Sequence, residues 1–358
     1  MKSNTLVPAP AELQPLDPAR LATQAAEAVQ ELLAEAAAAN TTRSYATALR
    51  YWAAWFQGRF GQKIALPVPE AAVVQFVVDH LARRGKSGLA WELPKGLDAQ
   101  LVAAGLKQRP GAFKLSTVVH RVAVLSAAHQ AHKAANPCES PAVRHLLKRG
   151  RRAAVKRGER PRKKTAITRA ELEAMLATCD DSLEGLRDRA ILYFGFASGG
   201  RRRSEIAVAD WQDLRRLDAT DFIYRLEHSK TQQAGATTSA TPDKPVLGRA
   251  GAALSAWLAA AKITEGPLFR RLWGDRVGPP LAPKAIAAVV QRRAARAGLK
   301  GDFGGHSLRS GFITEGARQG IALPALMALT EHRSVAQAIG YFQAGDAINN
   351  PAGRLLDG

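Results

Sequence analysis

A short stretch near the end of the chain carries side chains suited to chemistry on a phosphodiester. His306 and Arg309 lie three residues apart, which on a helix places both side chains on one face. His332 and Tyr341 follow, nine positions apart. An arginine can hold phosphate oxygens, histidines can move protons, and a tyrosine oxygen can act as a nucleophile. These residue types predict attack of a phenol oxygen on a phosphodiester.

Two motifs further upstream hold residues that would complete such a site. The first is the run Gly199-Gly200-Arg-Arg-Arg-Ser-Glu205, which follows a predicted helix. The second is Lys230, which comes at the end of a predicted strand whose side chains alternate from Phe222 to Glu227. A returning strand is expected at 244–247, so the lysine would lie on a β-hairpin.

The composition favours a polyanionic partner. The 358-residue chain has 51 Lys and Arg against 31 Asp and Glu, a net charge of +20. Such an excess is typical of proteins that neutralise nucleic-acid phosphates. Two cysteines without close spacing predict neither a disulfide framework nor a zinc site, and favour the reducing cytoplasm. We recognise neither a transmembrane run nor a signal peptide, so no membrane association is expected.

Helical periodicity dominates the first 145 residues. A helix after Asn40 is expected to bury a stripe formed by Tyr45, Leu49, Trp52 and Phe56. A run from Lys148 to Lys164 then holds ten basic residues and one acid, and Thr168 opens a further helix with a capping box. We interpret the basic run as a linker lying against nucleic-acid backbone. Its candidate DNA-binding residues are Arg151, Arg152, Lys156, Arg157, Arg162 and Lys163.

Taken together, the motifs between about 165 and 345 resemble those of the tyrosine recombinase, or phage integrase, family, which includes Cre-like and Xer-like recombinases. The run ending in Glu205 fits the family's Gly-x-Arg-x-x-Glu pattern, which selects Arg202 among the three arginines. The remaining motifs match the family's hairpin lysine, its His-x-x-Arg, its second histidine and its nucleophilic tyrosine. The resemblance thus assigns the catalytic positions to Arg202, Lys230, His306, Arg309, His332 and Tyr341, with Glu205 supporting them.

The chain departs from the family pattern at two of these motifs. Glu331 precedes the second histidine, where many members have glycine, and Arg201 stands where an apolar residue is usual. The segment 350–358 is similar to a family tail that docks on a neighbouring subunit, although its leucines could equally pack within the same chain.

The resemblance implies a mainly α fold with a small antiparallel β-sheet. A helical core-binding domain would precede a DNA breaking-rejoining catalytic domain. The expected segments are a flexible tail (1–16), a helical DNA-binding domain (17–147), a basic linker (148–166), a tyrosine recombinase catalytic domain (167–345) and a C-terminal tail (346–358).

The function implied by the resemblance is site-specific DNA recombination or integration, typical of a mobile genetic element. Strands would be cleaved and rejoined through a 3′-phosphotyrosine, with no metal, ATP or cofactor. The expected partner is double-stranded DNA with inverted-repeat half-sites, bound by a homodimer that forms a homotetramer at synapsis. The alternatives are a type IB topoisomerase or telomere-resolvase-like enzyme, and a catalytically inactive DNA-binding relative.

Overall fold

The computed structural model describes residues 39–86, 88–159, 164–227, 242–332 and 334–339. The chain divides into two compact units, Met1–Pro161 and Arg162–Gly358. Both are mainly helical with small antiparallel sheets, so the predicted fold class is confirmed. Within the described ranges we find no helix with the length and apolar character needed to cross a membrane.

The described part of the first unit consists of helices around an aromatic core. Trp52, Trp55 and Phe76 are fully buried at its centre, and the Trp52 and Phe76 rings stack with centroids 3.7 Å apart. A short hairpin pairs Arg83 with Ala90. The elements are α1 (Ala39–Phe60), α2 (Glu70–His80), β1 (Arg83–Gly85), β2 (Gly88–Ala90), α3 (Lys95–Ala103), α4 (Leu115–Ala131) and α5 (Pro141–Lys156).

The buried face of α1 is only partly the predicted one. Trp52 and Phe56 are buried, but Tyr45 and Leu49 are 38% and 37% exposed. The buried positions instead include Tyr51 and Trp55, whose indole donates to Asp79 at 2.9 Å. A tryptophan is buried readily once its N–H has an acceptor, and that acceptor lies on another helix.

The basic run begins as a helix rather than as a linker. Helix α5 starts behind Ser140, whose hydroxyl accepts from Val143 N at 3.2 Å, and continues to Lys156. Burial of Val143, Gly150 and Ala154 along one side explains why so basic a segment is helical. Predicted linker residues 148–156 therefore belong to α5, whereas Arg162 and Lys163 lie outside the described residues.

The second unit packs helices around the buried α7 and a three-stranded sheet of order β3-β4-β5. The predicted antiparallel pair is present as β4 and β5, with Tyr224 opposite Lys244. Strand β3 and the hairpin β6-β7 were not predicted, because their short, arginine-rich sequences lack clear alternation. The elements are α6 (Arg169–Ala177), α7 (Leu183–Ala197), α8 (Arg203–Ala207), β3 (Leu214–Arg216), β4 (Phe222–Arg225), β5 (Asp243–Val246), α9 (Arg249–Ala260), β6 (Arg270–Trp273), β7 (Arg276–Pro280), α10 (Pro283–Arg296), α11 (Gly305–Arg318), α12 (Leu323–Thr330) and α13 (Val335–Ile339).

A buried carboxylate ties α7 to α10. Asp188 is fully buried and accepts from Arg187 at 2.8 Å, from Arg292 at 2.6 Å and from Arg293 at 2.8 Å. Arg293 is also fully buried, and its guanidinium donates to the carbonyl of Thr178 at 2.6 Å. The pairing satisfies charges that would be costly to bury alone and joins α7 to α10.

Candidate active site

Two glycines let the end of α7 turn against α11 and α12. Gly199 has φ +99° and Gly200 has φ +65°, values that residues other than glycine rarely adopt. A Cβ at Gly200 would lie 2.6 Å from Arg309 Cα, and one at Gly199 would lie 2.5 Å from the Leu329 carbonyl oxygen. The turn therefore brings the arginine run directly beside the residues that precede His332.

The three arginines after this turn have different environments. Arg201 is fully buried and donates to the carbonyl oxygens of Gly199, at 3.2 Å, and of Leu329. The Arg202 side chain keeps 17% exposure, while Arg203 points outward and is exposed. Arg202 thus combines a partly enclosed position with access from solvent.

Glu205 orients Arg201 and Arg202. Its carboxylate accepts from the backbone N–H of Arg202 at 3.0 Å and from the Arg202 guanidinium, and lies 3.7 Å from Arg201 Nη1. Burial opposes ionisation of this carboxyl, but the charges of Arg201 and Arg202 outweigh it and lower the Glu205 pKa. The carboxylate is therefore ionised and holds Arg202 in place.

Helix α11 carries His306 and Arg309, as the spacing predicts. His306 is exposed in the first turn, and Arg309 is fully buried one turn later. The Arg309 guanidinium donates to the Gly200 carbonyl at 3.4 Å and to the Thr330 carbonyl. Arg309 therefore joins the glycine turn to the end of α12.

The His332 imidazole is hydrogen-bonded to Arg309 and to Thr330. Arg309 Nε lies 3.4 Å from His332 Nε2, and His332 Nδ1 lies 2.7 Å from Thr330 Oγ1. Burial, followed by the charges of Arg309 and Arg202, lowers the pKa of His332 to about 4. The imidazole is therefore neutral near pH 7 in the described site.

The structure thus brings Arg202, Glu205, Arg309 and His332 into one cluster, with His306 at the start of the same helix as Arg309. Lys230 and Tyr341 lie outside the described residues. Sequence reasoning missed Thr330, which orients His332, and Lys244, a fully buried cation that pairs with Glu331 at 3.1 Å. Lys244 gave no sequence signal beyond its place in the predicted returning strand.

Comparisons with known proteins show the family to which the chain belongs. The model of the phage integrase family matches residues 165–347, just over half of the chain. The chain is 33% identical over 250 residues to an integrase/recombinase XerD homologue of Selenomonas ruminantium, covering 67% of this chain and 71% of that protein. The chain belongs to the phage integrase family. The predicted function, a tyrosine-type site-specific recombinase, is confirmed by this membership.

Further members of the family share less sequence. Recombinase Cre of Escherichia phage P1 is 23% identical over 260 residues, covering 68% of this chain and 75% of Cre. The structure of XerH site-specific recombinase bound to difH substrate has a TM-score of 0.54 at 16% identity, covering 88% of this chain and 79% of that one. A lambda integrase (75–356) dimer bound to a COC′ core site has a TM-score of 0.50 at 15% identity, covering 90% and 95%. These two structures show that the fold is shared.

Proposed function

We propose that this recombinase cleaves and rejoins double-stranded DNA through a covalent bond to Tyr341. The observation that carries the proposal is the convergence of Arg202, Arg309 and His332 on one cluster. Two guanidinium groups supply the positive charge that stabilises a five-coordinate phosphorus transition state. In many phosphoryl-transfer enzymes a metal ion supplies that charge.

The reaction exchanges one ester for another. The Tyr341 oxygen attacks phosphorus, its proton passes to His306 or to water, and the bond from phosphorus to the 5′ oxygen breaks. Lys230 gives that oxygen a proton, and the 3′ end remains joined to Tyr341. A 5′ hydroxyl of another strand reverses these steps, so no ATP is consumed.

The same proposal extends to the substrate and the assembly. A net charge of +20 supports double-stranded DNA as the partner. We assign one subunit to each inverted-repeat half-site, two to a full site and four to the synapse, since strand exchange needs two sites. Removing residues 349–358 should leave half-site binding intact and abolish cooperative binding to the full site, as measured by gel-shift titration.

A trapping experiment tests the chemistry. Nicked duplexes drawn from the DNA that flanks the gene lose a short strand upon cleavage, so a covalent complex accumulates. Wild type and a Tyr193→Phe control should form a 3′-linked adduct with or without EDTA, and Tyr341→Phe should form none. An adduct in Tyr341→Phe would refute the assignment of the nucleophile.

A substrate with sulfur in place of the bridging 5′ oxygen tests the general acid. A thiolate leaves without being protonated, so this substrate should restore cleavage to Lys230→Ala. If cleavage is not restored, another group protonates the leaving oxygen. Transfer of the bound strand to a second duplex distinguishes a recombinase from a topoisomerase.

A further inference from the structure

A buried group of charges, formed by Lys244, Glu331 and Arg201, lies next to His332. Lys244 Nζ and Glu331 Oε1 are 3.1 Å apart, with side-chain exposures of 0% and 7%. Arg201 is fully buried in the same region, and both Lys244 and Glu331 interact with it electrostatically. None of these side chains reaches the surface to hold DNA, so their role lies inside the protein.

The cations of this group satisfy the end of α12. The last carbonyls of a helix lack partners within it and carry partial negative charge. Lys244 donates to the Ala328 carbonyl at 3.2 Å, Arg201 donates to that of Leu329, and Arg309 donates to that of Thr330. Three consecutive carbonyls are thus held by cations from β5, from the glycine turn and from α11.

Glu331, the residue that follows α12, has an unusual backbone conformation. Its φ of 57° and ψ of 42° lie in the left-handed region, where glycine would be free of strain. A glutamate nevertheless occupies this strained position, and its carboxylate lies 3.1 Å from Lys244 Nζ. The two departures from the family pattern, Arg201 and Glu331, are therefore partners within a single charge cluster.

We propose that the Lys244–Glu331 pair, supported by Arg201, is a positioning device for His332. It fixes the last turn of α12 and the residue before His332, and so keeps the imidazole against Arg309 and Thr330. It also fastens the turn to β5, the strand that follows residues 228–241. The proposal rests on the reaction proposed above only in that His332 would hydrogen-bond the scissile phosphate there.

Removing the charges of Lys244 and Glu331 together tests this positioning role without leaving either charge buried alone. In Lys244→Met/Glu331→Gly, glycine accepts the left-handed backbone and methionine fills the lysine's space. Cleavage of the nicked duplex should fall by about tenfold to a hundredfold, because a displaced group loses catalytic efficiency steeply. Half-site affinity should stay unchanged. The control Arg249→Met/Glu173→Gln removes an exposed ion pair of the same unit and should cleave normally.

A double-mutant cycle asks whether the pair acts through His332. In a His332→Ala background, the two substitutions at 244 and 331 should change the cleavage rate by less than about twofold. An equal loss in both backgrounds would overturn the proposal, and so would wild-type cleavage by the folded double variant.

A spectroscopic measurement separates this inference from the proposed reaction. In labelled full-length protein without DNA, the His332 ring resonances should shift or broaden in Lys244→Met/Glu331→Gly and stay in place in the control. Unchanged His332 resonances would overturn the positioning role even if cleavage fell. Absence of a covalent adduct in the wild type would refute only the proposed reaction.

Discussion

Arg309 and His332 share a hydrogen bond of 3.4 Å that determines the state of the histidine. Because Arg309 Nε–H can only donate, His332 Nε2 must accept, so the hydrogen of the neutral ring lies on Nδ1. Nδ1 then donates to Thr330 Oγ1 at 2.7 Å, and the Thr330 hydroxyl donates to the Leu326 carbonyl at 2.8 Å. To donate to a phosphate, His332 must therefore gain a proton on Nε2.

The first prediction concerns the pH dependence of stability. His332 has a pKa of about 4 in the folded chain, against about 6.5 when unfolded, so the unfolded state binds the extra proton. Its contribution to the free energy of unfolding is fully present above pH 6.5 and is lost as the pH falls towards 4. In urea titrations, the free energy of unfolding of wild type minus that of His332→Gln should therefore decrease as the pH falls from 6.5 towards 4. A constant difference would contradict the lowered pKa. His80, whose pKa burial lowers to about 3, acts in the same direction in both proteins.

The second prediction separates Arg202 from Arg203, two of the three arginines that follow the glycine turn. Arg202→Ala should lower cleavage by about a hundredfold to a thousandfold, because it removes a donor to the developing charge. Duplex binding should be retained, since many other cations contribute to it. The neighbouring exposed Arg203→Ala is the matched control and should cleave normally. Cleavage assays on nicked duplex decide between them, and the reverse pattern would mean that Arg203 faces the phosphate.

The third prediction concerns the scaffold. Asp188→Asn keeps the shape of the side chain but removes the nearest counter-charge of the buried Arg187 and Arg293, which among the described residues then have only Glu184, at 3.6 Å and 3.9 Å. Loss of one partner of such a buried group costs about 3–5 kcal/mol of stability. Asp181→Asn serves as control, because Asp181 is 92% exposed and its pair with Arg189 contributes at most about 1 kcal/mol. Thermal unfolding should show a large fall in Tm for the first variant only.

The fourth prediction concerns the basic face of α5. Arg151, Arg152 and Lys156 are exposed on this helix, so their replacement by glutamine should weaken target and unrelated DNA about equally. The log–log salt dependence should flatten by up to about 0.9 for each phosphate that the variant no longer neutralises. Arg157 is engaged by Glu159 at 2.7 Å, so Arg157→Gln alone should change affinity little. A weakening confined to the target would mean that the helix reads sequence.

Local sequence spacing was enough to predict several features of the fold and of the candidate site. The i, i+3 relation of His306 and Arg309 follows from the helix period, and the order of motifs was enough to recognise the family. The antiparallel pairing of β4 with β5 followed from their alternation. These features depend on residues near one another in the chain, which is why periodicity and turn chemistry reveal them.

The tertiary structure decided which side chains are buried and which charges pair. Nothing in the run Arg201–Arg203 shows that the first side chain is enclosed while the second remains accessible; the packing of the glycine turn against α11 and α12 determines that. The sequence does not mark Lys244 or Asp188 as buried; the fold does so by placing Glu331 and Arg293 beside them. Burying a charge is favourable only where a distant partner compensates it, and the chain's own order does not specify that partner.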